Sequence, residues 1–282
     1  MQIKYNLSGK RKGAEFRTNP SNFPGFIGRQ ILRLPVYIFD LTLFVLRVLF
    51  NKESCIRNFN QAGYRSLIRQ IIFSGIDALP IATLLALVSG LAITSQTILT
   101  IQVIGERADV IDILIRLVVY ELSTLLTAAL LIGRSGSAIT VDLGSMKLHR
   151  ELEGLEMLGI NINNYLIAPR ILGAAISQTV LSAYFAGVTI VSGIIFISLV
   201  IHSGYFNYLP DIASSLHPNA LLLFIGKNMF FGMLIGAVAC YHGLSVSSSR
   251  TEIPQKTQQA IVNSLSIVFV LNAFFTILDF MD

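Results

Sequence analysis

Residues 171–201 read ILGAAISQTVLSAYFAGVTIVSGIIFISLVI, 31 positions without an Asp, Glu, Lys or Arg. A helix bonds its backbone N–H and C=O groups within itself, and about 20 apolar residues in that form cross a bilayer. At about 1.5 Å per residue this run reaches ~46 Å, beyond a hydrocarbon core of ~30 Å, so it should tilt, bend or protrude. Working outward, residues 78–105, 228–249 and 257–278 are also uncharged runs. A further apolar stretch, about 113–133, carries Arg116 and Glu121. The predicted spans are about 78–104, 113–133, 171–201, 219–243 and 257–278, with Lys227 in the first third of the fourth. Composition agrees, since 53% of the 282 residues are hydrophobic and only 13% charged, where a soluble protein carries about 25% charged. Mean hydropathy is +0.67. A soluble single-core enzyme and a disordered or nucleic-acid-binding chain are excluded. The expected class is an all-α integral membrane protein with five transmembrane helices.

Charge sets the expected orientation. Twelve of the 21 basic residues precede the first span, and basic-rich and basic-poor loops then alternate along the chain. Cytoplasmic loops carry the excess of Lys and Arg, so the N-terminus should be cytoplasmic and the C-terminus on the opposite side. Residues 1–22 are a polar, basic tail with no signal-peptide pattern. Residues 23–50 are apolar except for Arg29, Arg33, Asp40 and Arg47, which fall within about 40° of one another on a helical wheel. That narrow stripe predicts an amphipathic helix in the membrane interface, anchored by Arg29, Arg33 and Arg47 at the headgroups. The alternative is a sixth, full span, disfavoured because three arginines at different depths would be expensive. The chain therefore divides into a tail (1–22), an interfacial helix with its connector (23–70) and a membrane domain (71–282).

Catalytic signatures are absent. Gly226-Lys227 superficially suggests a phosphate loop, but Leu221 and Asn228 stand where a glycine and a hydroxyl residue belong. His149, His202, His217 and His242 lack ligand spacing and are expected to be solvated or interfacial. Cys55 and Cys240 stand alone and read as small hydrophobes. No catalytic residue, metal site or cofactor is expected in this chain.

Three features rise above that background. Residues 144–159, GSMKLHRELEGLEMLG, place Leu148, Leu152, Leu155 and Gly159 at helical spacing with charges on the other faces. This predicts a short amphipathic helix at the membrane boundary. Asp77 and Glu121 lie in apolar segments, and ionisable groups there usually face a cavity or a partner. Small residues thin the third and fourth spans, among them Gly173, Ala174, Ala175, Gly187, Gly193 and the Gly232-xxx-Gly236 pair. Helices in lipid pack closely through such faces.

Over about residues 71–280 the chain resembles the MlaE/YrbE-type permeases of MCE-associated ABC lipid transporters. The most specific stretch is residues 133–170, GRSGSAITVDLGSMKLHRELEGLEMLGININNYLIAPR. It is similar to the family's small-residue run, Glu/Leu helix, Met-Leu-Gly turn and Tyr-Leu-x-x-Pro-Arg lead into the next span. Glu121-Leu122, Gly226-Lys227, Cys240-Tyr241-His242-Gly243-Leu244 and residues 257–264 add further matches in order. Tyr120 stands where the family usually has Arg, and Ser123-Thr124 where it has Gly-Pro.

The resemblance implies a homodimeric permease subunit in the inner (cytoplasmic) membrane, moving phospholipid between inner and outer membranes. A cytoplasmic ABC ATPase holding ATP and Mg would sit beneath it and a periplasmic MCE-domain protein above. Residues 145–158 would form the coupling helix that seats in the ATPase, with Met146, Lys147, Arg150, Glu151, Glu153, Leu155, Glu156 and Leu158 as its contacts. Tyr120, Glu121, Lys227 and Asp77 are the candidates for a lipid cavity at the dimer interface. A membrane scaffold for an MCE protein and an ion-coupled secondary transporter using Asp77 and Glu121 are the alternatives. The second is disfavoured because no internal repeat with paired broken helices is visible.

Overall fold

The computed structural model describes residues 43–44, 61–104, 117–201, 218–247 and 249–279. The predicted interfacial helix with Arg29, Arg33 and Arg47 lies outside the described residues, apart from Leu43 and Phe44. Among the described residues all regular structure is helical, and five helices are long and apolar enough to cross a membrane. The chain is an all-α integral membrane protein.

The elements in order are α1 (Gln61–Ser74), α2 (Leu79–Ile104), α3 (Leu117–Leu148), α4 (Glu151–Met157), α5 (Ala168–Ile201), α6 (Pro218–Leu244) and α7 (Glu252–Asp279). A 3₁₀ turn at Ile76–Ala78 joins α1 to α2, and the two act as one broken span. Pro80 supplies the break, because a proline near a helix start lacks the N–H that would continue the previous helix. Paired residues show alternating directions: Thr140 beside Ala239, Asp142 beside Arg170, Asn263 beside His242 and Asn272 beside Glu121. Helices α1–α2, α5 and α7 run one way, and α3 and α6 the other. One end of the bundle carries the connections at 149–162 and 245–251, here the turn end; the other is the far end.

Small residues set the packing. Along α1–α2, Ser74, Ala78, Ala82, Ala86, Gly90 and Thr94 recur every fourth position, and all are buried. This row of short side chains lies against α5, where Thr189 donates across the seam to the Ala86 carbonyl at 3.4 Å. At the α5–α6 contact, Ala174 and Ala175 face Gly232, while Ile171 and Ala174 face Gly236. Without a hydrophobic drive inside lipid, close approach of such faces and the polar bonds between them hold the helices together.

Burial on α6 is graded. Every residue from Ile235 to Cys240 is buried, whereas Leu222 and Leu223 at the far end are 75% and 63% exposed. Alpha-6 is enclosed over its turn-end half and exposes apolar side chains over its far-end half. His242, expected to be solvated or interfacial, is instead buried between α6 and α7, its Nε2 3.1 Å from Asn263 Nδ2. A lone histidine in an apolar run gives no sign of the amide that a neighbouring helix will offer it.

Boundaries differ from the sequence expectation in two places. The first span begins before residue 78, because α1 carries Arg65 and Arg69 on an exposed face and continues as helix past them. The single amphipathic helix expected over 145–158 is divided: α3 runs through to Leu148, Arg150 takes a left-handed conformation at φ 58°, and α4 follows. Alpha-4 then closes in a Schellman motif. Gly159 N–H donates to Glu156 O at 2.9 Å and Ile160 N–H to Leu155 O at 3.0 Å, with Gly159 at φ 74°, a conformation that costs glycine little.

Candidate functional site

Alpha-3 is an α-helix interrupted by two π-helical segments, Leu117–Leu122 and Ile132–Gly136. Such a segment holds an extra residue in the turn, re-aims its side chains and often sits where a helix does something besides pack. Here the first carries Tyr120 and Glu121, and the second carries Arg134.

Glu121 points into the junction of three helices. Its Oε1 accepts from Lys227 Nζ of α6 at 2.9 Å, and its Oε2 accepts from Asn272 Nδ2 of α7 at 2.5 Å. Lys227 Nζ also donates to the Tyr120 carbonyl at 3.3 Å. Tyr120 packs its ring edge-on to Phe224, with centroids 6.0 Å apart. A carboxylate and an ammonium in an apolar bundle are tolerable because each satisfies the other, and Asn272 occupies the second oxygen.

One turn towards the turn end lies a neutral polar layer. Gln178 Nε2 of α5 reaches Thr127 Oγ1 at 3.1 Å and Asn228 Oδ1 at 3.3 Å, and Asn228 Nδ2 reaches Thr124 Oγ1 at 3.2 Å. Gln178, Asn228 and Thr124 have no exposed surface. This layer joins α3, α5 and α6 immediately beneath the ion pair. Below it come apolar contacts of Leu131, Ile132, Ala174, Phe231 and Ile235.

Of the four cavity candidates, Tyr120, Glu121 and Lys227 come together and Asp77 does not. Asp77 is half exposed at the α1–α2 break, with its carboxylate 3.6 Å from Arg134. Arg134 also donates to the Phe73 carbonyl at 2.8 Å and lies over the Phe73 ring at 5.1 Å. Asp77 and Arg134 thus brace the broken first span against the second π segment. Sequence reasoning missed Asn272, Gln178 and Asn228. All three are uncharged amides in apolar runs, and a search for charges passes over them although amides need partners there as well.

At the turn end, Arg150, Glu151, Glu153, Glu156 and Leu158 are exposed and Leu155 is half-buried. Leu152, on the opposite face of α4, is buried among Ile139, Leu143, Ile162 and Leu166 and ties α4 to the bundle. Met146 packs inward on the same cluster, and Lys147 donates to the Leu244 carbonyl. These two belong to the body of α3 rather than to the α4 surface. Met157 and Leu158 are 86% and 76% exposed, an apolar tip beside a charged rim.

A separate groove of about 340 Å³ lies between α2 and α5, lined by Leu87, Tyr184, Gly187, Val188, Val191, Ser192 and Ile195. It contains none of the residues of the polar site and no charged group, so it does not alter the assignment. Among the described residues no cluster of His, Cys, Asp and Glu has the arrangement of a metal site.

Comparison with known proteins gives concordant matches. The family described as Permease MlaE matches residues 67–278. A probable ABC transporter permease protein of Synechocystis is 27% identical over 77% of this chain and 82% of its own length. One from Rickettsia bellii is 22% identical over 92% of this chain and 98% of its own. A chloroplastic protein of Arabidopsis thaliana named Trigalactosyldiacylglycerol 1 is 26% identical over 75% of this chain and 62% of its own length.

Proposed function

The chain belongs to the MlaE permease family of ABC transporter permeases, and from that premise we propose that it is the subunit through which an ATP-driven transporter moves phospholipid between the inner and outer membranes. In this reading it is a homodimer in the inner membrane, with a cytoplasmic ATPase at the turn end. An MCE-domain protein sits at the far end, on the periplasmic side. The N-terminus is cytoplasmic and the C-terminus periplasmic.

The observation that carries the reading is the Glu121–Lys227–Asn272 cluster, set where α6 begins to expose its apolar side chains. Apolar walls accept acyl chains, and a few convergent polar groups meet a headgroup. A helix bundle needing only stability would gain little from an ion pair here, since a pair removed from water roughly cancels its own desolvation cost. The Arabidopsis relative is named for a glycerolipid, which supports a diacylglycerol-based lipid as the substrate, the broader class to which phospholipids belong. The exposed face of α4 supports an ATPase contact, because acidic residues and an apolar tip stand out from the bundle on a helix held by Leu152.

Purification of the intact complex, with mass spectrometry of its proteins and lipids, tests the proposal: an ATPase, an MCE-domain protein and phospholipid should accompany the chain. Charge reversal on α4 tests the direction of coupling. The Glu153→Lys, Glu156→Lys double variant should lose lipid transfer and its link to ATP hydrolysis while the bundle stays folded, because both side chains are exposed. A passive scaffold predicts no change in either activity.

A further inference from the structure

The ion pair is not symmetric towards its surroundings. The side chain of Glu121 keeps 22% of its exposure and that of Lys227 only 10%. The lysine ammonium is turned into the protein, with bonds to Glu121 Oε1 and the Tyr120 carbonyl. Around the pair, the groups that bond to it or lie beneath it are neutral: Asn272, Asn228, Gln178 and Thr124. Among the described residues no second cation bonds to this cluster. Acceptors are in surplus, since Asn272 Oδ1 and Gln178 Oε1 are buried without a hydrogen-bond partner. Asn272 is itself only 6% exposed.

A site whose more accessible charge is a carboxylate, and whose spare groups are acceptors, welcomes donors and repels anions. We propose that this site selects a lipid headgroup that carries no net charge and ends in hydrogen-bond donors, an ammonium or hydroxyls, and that it disfavours an anionic headgroup. The inference rests on the lipid-permease reading above and specifies its substrate. Tyr120 contributes by what it is not: a cation at that position, next to Glu121, would turn the cluster positive.

The test is to purify the full chain, with the subunits that accompany it, from mixed micelles. These would hold equal parts of phosphatidylethanolamine, a galactosyl diacylglycerol and phosphatidylglycerol. Retained lipids are then counted by mass spectrometry. Phosphatidylglycerol also carries hydroxyls, so its depletion isolates charge. We expect it to be depleted about tenfold relative to the more enriched neutral lipid, the scale set by one like-charge contact at a partly buried site. The preferred neutral lipid then shows whether ammonium or hydroxyl is recognised, and preference for the galactolipid would replace phospholipid as the substrate while keeping the selectivity. Tyr120→Arg should erase the depletion. The double variant Glu121→Gln, Lys227→Met, which removes the carboxylate without leaving a stranded charge, should do the same and carries the test where the arginine variant fails to fold. Retention in bulk proportions, or enrichment of phosphatidylglycerol, would overturn the selectivity while leaving a lipid permease standing. Absence of retained lipid would overturn both.

Discussion

Gly232→Val should be the most damaging single change in the bundle. A Cβ built at Gly232 would lie 2.5 Å from Ala175 Cα, 2.6 Å from the Ala174 carbonyl oxygen and 2.8 Å from Gln178 Cβ. Two of these are backbone atoms of α5, which cannot rotate away as a side chain could. Alpha-5 and α6 form the most extensive helix pair in the described structure. The clash would therefore push apart the central contact and, with it, the Gln178–Asn228 bond one turn away. Overpacking costs about 1–3 kcal/mol in a core that can adjust, and more where it cannot. Against a total stability of about 5–15 kcal/mol, that is enough to lose most folded protein. Thermal unfolding and monodispersity in detergent read the result. Gly226→Ala is the control, on the same helix with no atom within 4 Å of the added carbon. It should be neutral or slightly stabilising, as alanine favours a helix over glycine. Equal behaviour of the two variants would mean that α5 and α6 do not approach as described.

The second large effect is expected from Lys227→Met. Methionine keeps the length of the side chain but strands the Glu121 carboxylate, which then has only Asn272. Removing one partner of a buried pair typically costs about 3–5 kcal/mol, most of it the desolvation of the charge left behind. Removing both charges while keeping shape costs far less. The double variant Glu121→Gln, Lys227→Met should therefore recover most of the stability lost by Lys227→Met alone. A thermal-unfolding double-mutant cycle in detergent measures this. If the two losses simply add, the 2.9 Å contact carries no energetic coupling.

The fold was legible because lipid permits few solutions: long uncharged runs must be helices. Small residues such as Gly232 and Ala174 likewise announced close helix contact before their partners were known. Boundaries were less legible, since a count of charges starts the first span after Asp77 although the apolar helical span begins before it, in α1. The split between α3 and α4 was hidden as well. Arg150 is left-handed at φ 58°, and nothing about an arginine signals that conformation.

The site was legible in part. Glu121 and Lys227 stand out as charges in apolar segments, but their pairing joins positions 106 apart in sequence, which no helical periodicity can relate. Asp77 has the same sequence character as Glu121, yet it serves the α1–α2 break with Arg134. Only the bundle geometry separates the two acids. Asn272 is the reverse case: an amide with no charge to mark it becomes the group that holds Glu121 from the fifth span.

The central claim is that phospholipid passes the Glu121 cluster under the drive of ATP. It is tested most directly by reconstituting the assembled complex and following ATP-dependent movement of labelled phosphatidylethanolamine out of donor vesicles. The double variant Glu121→Gln, Lys227→Met, which removes both charges and leaves neither stranded, should reduce transfer by about tenfold or more, the loss expected for one charge-assisted contact, while assembly and ATP hydrolysis persist. Transfer at the wild-type rate in that variant would contradict the account.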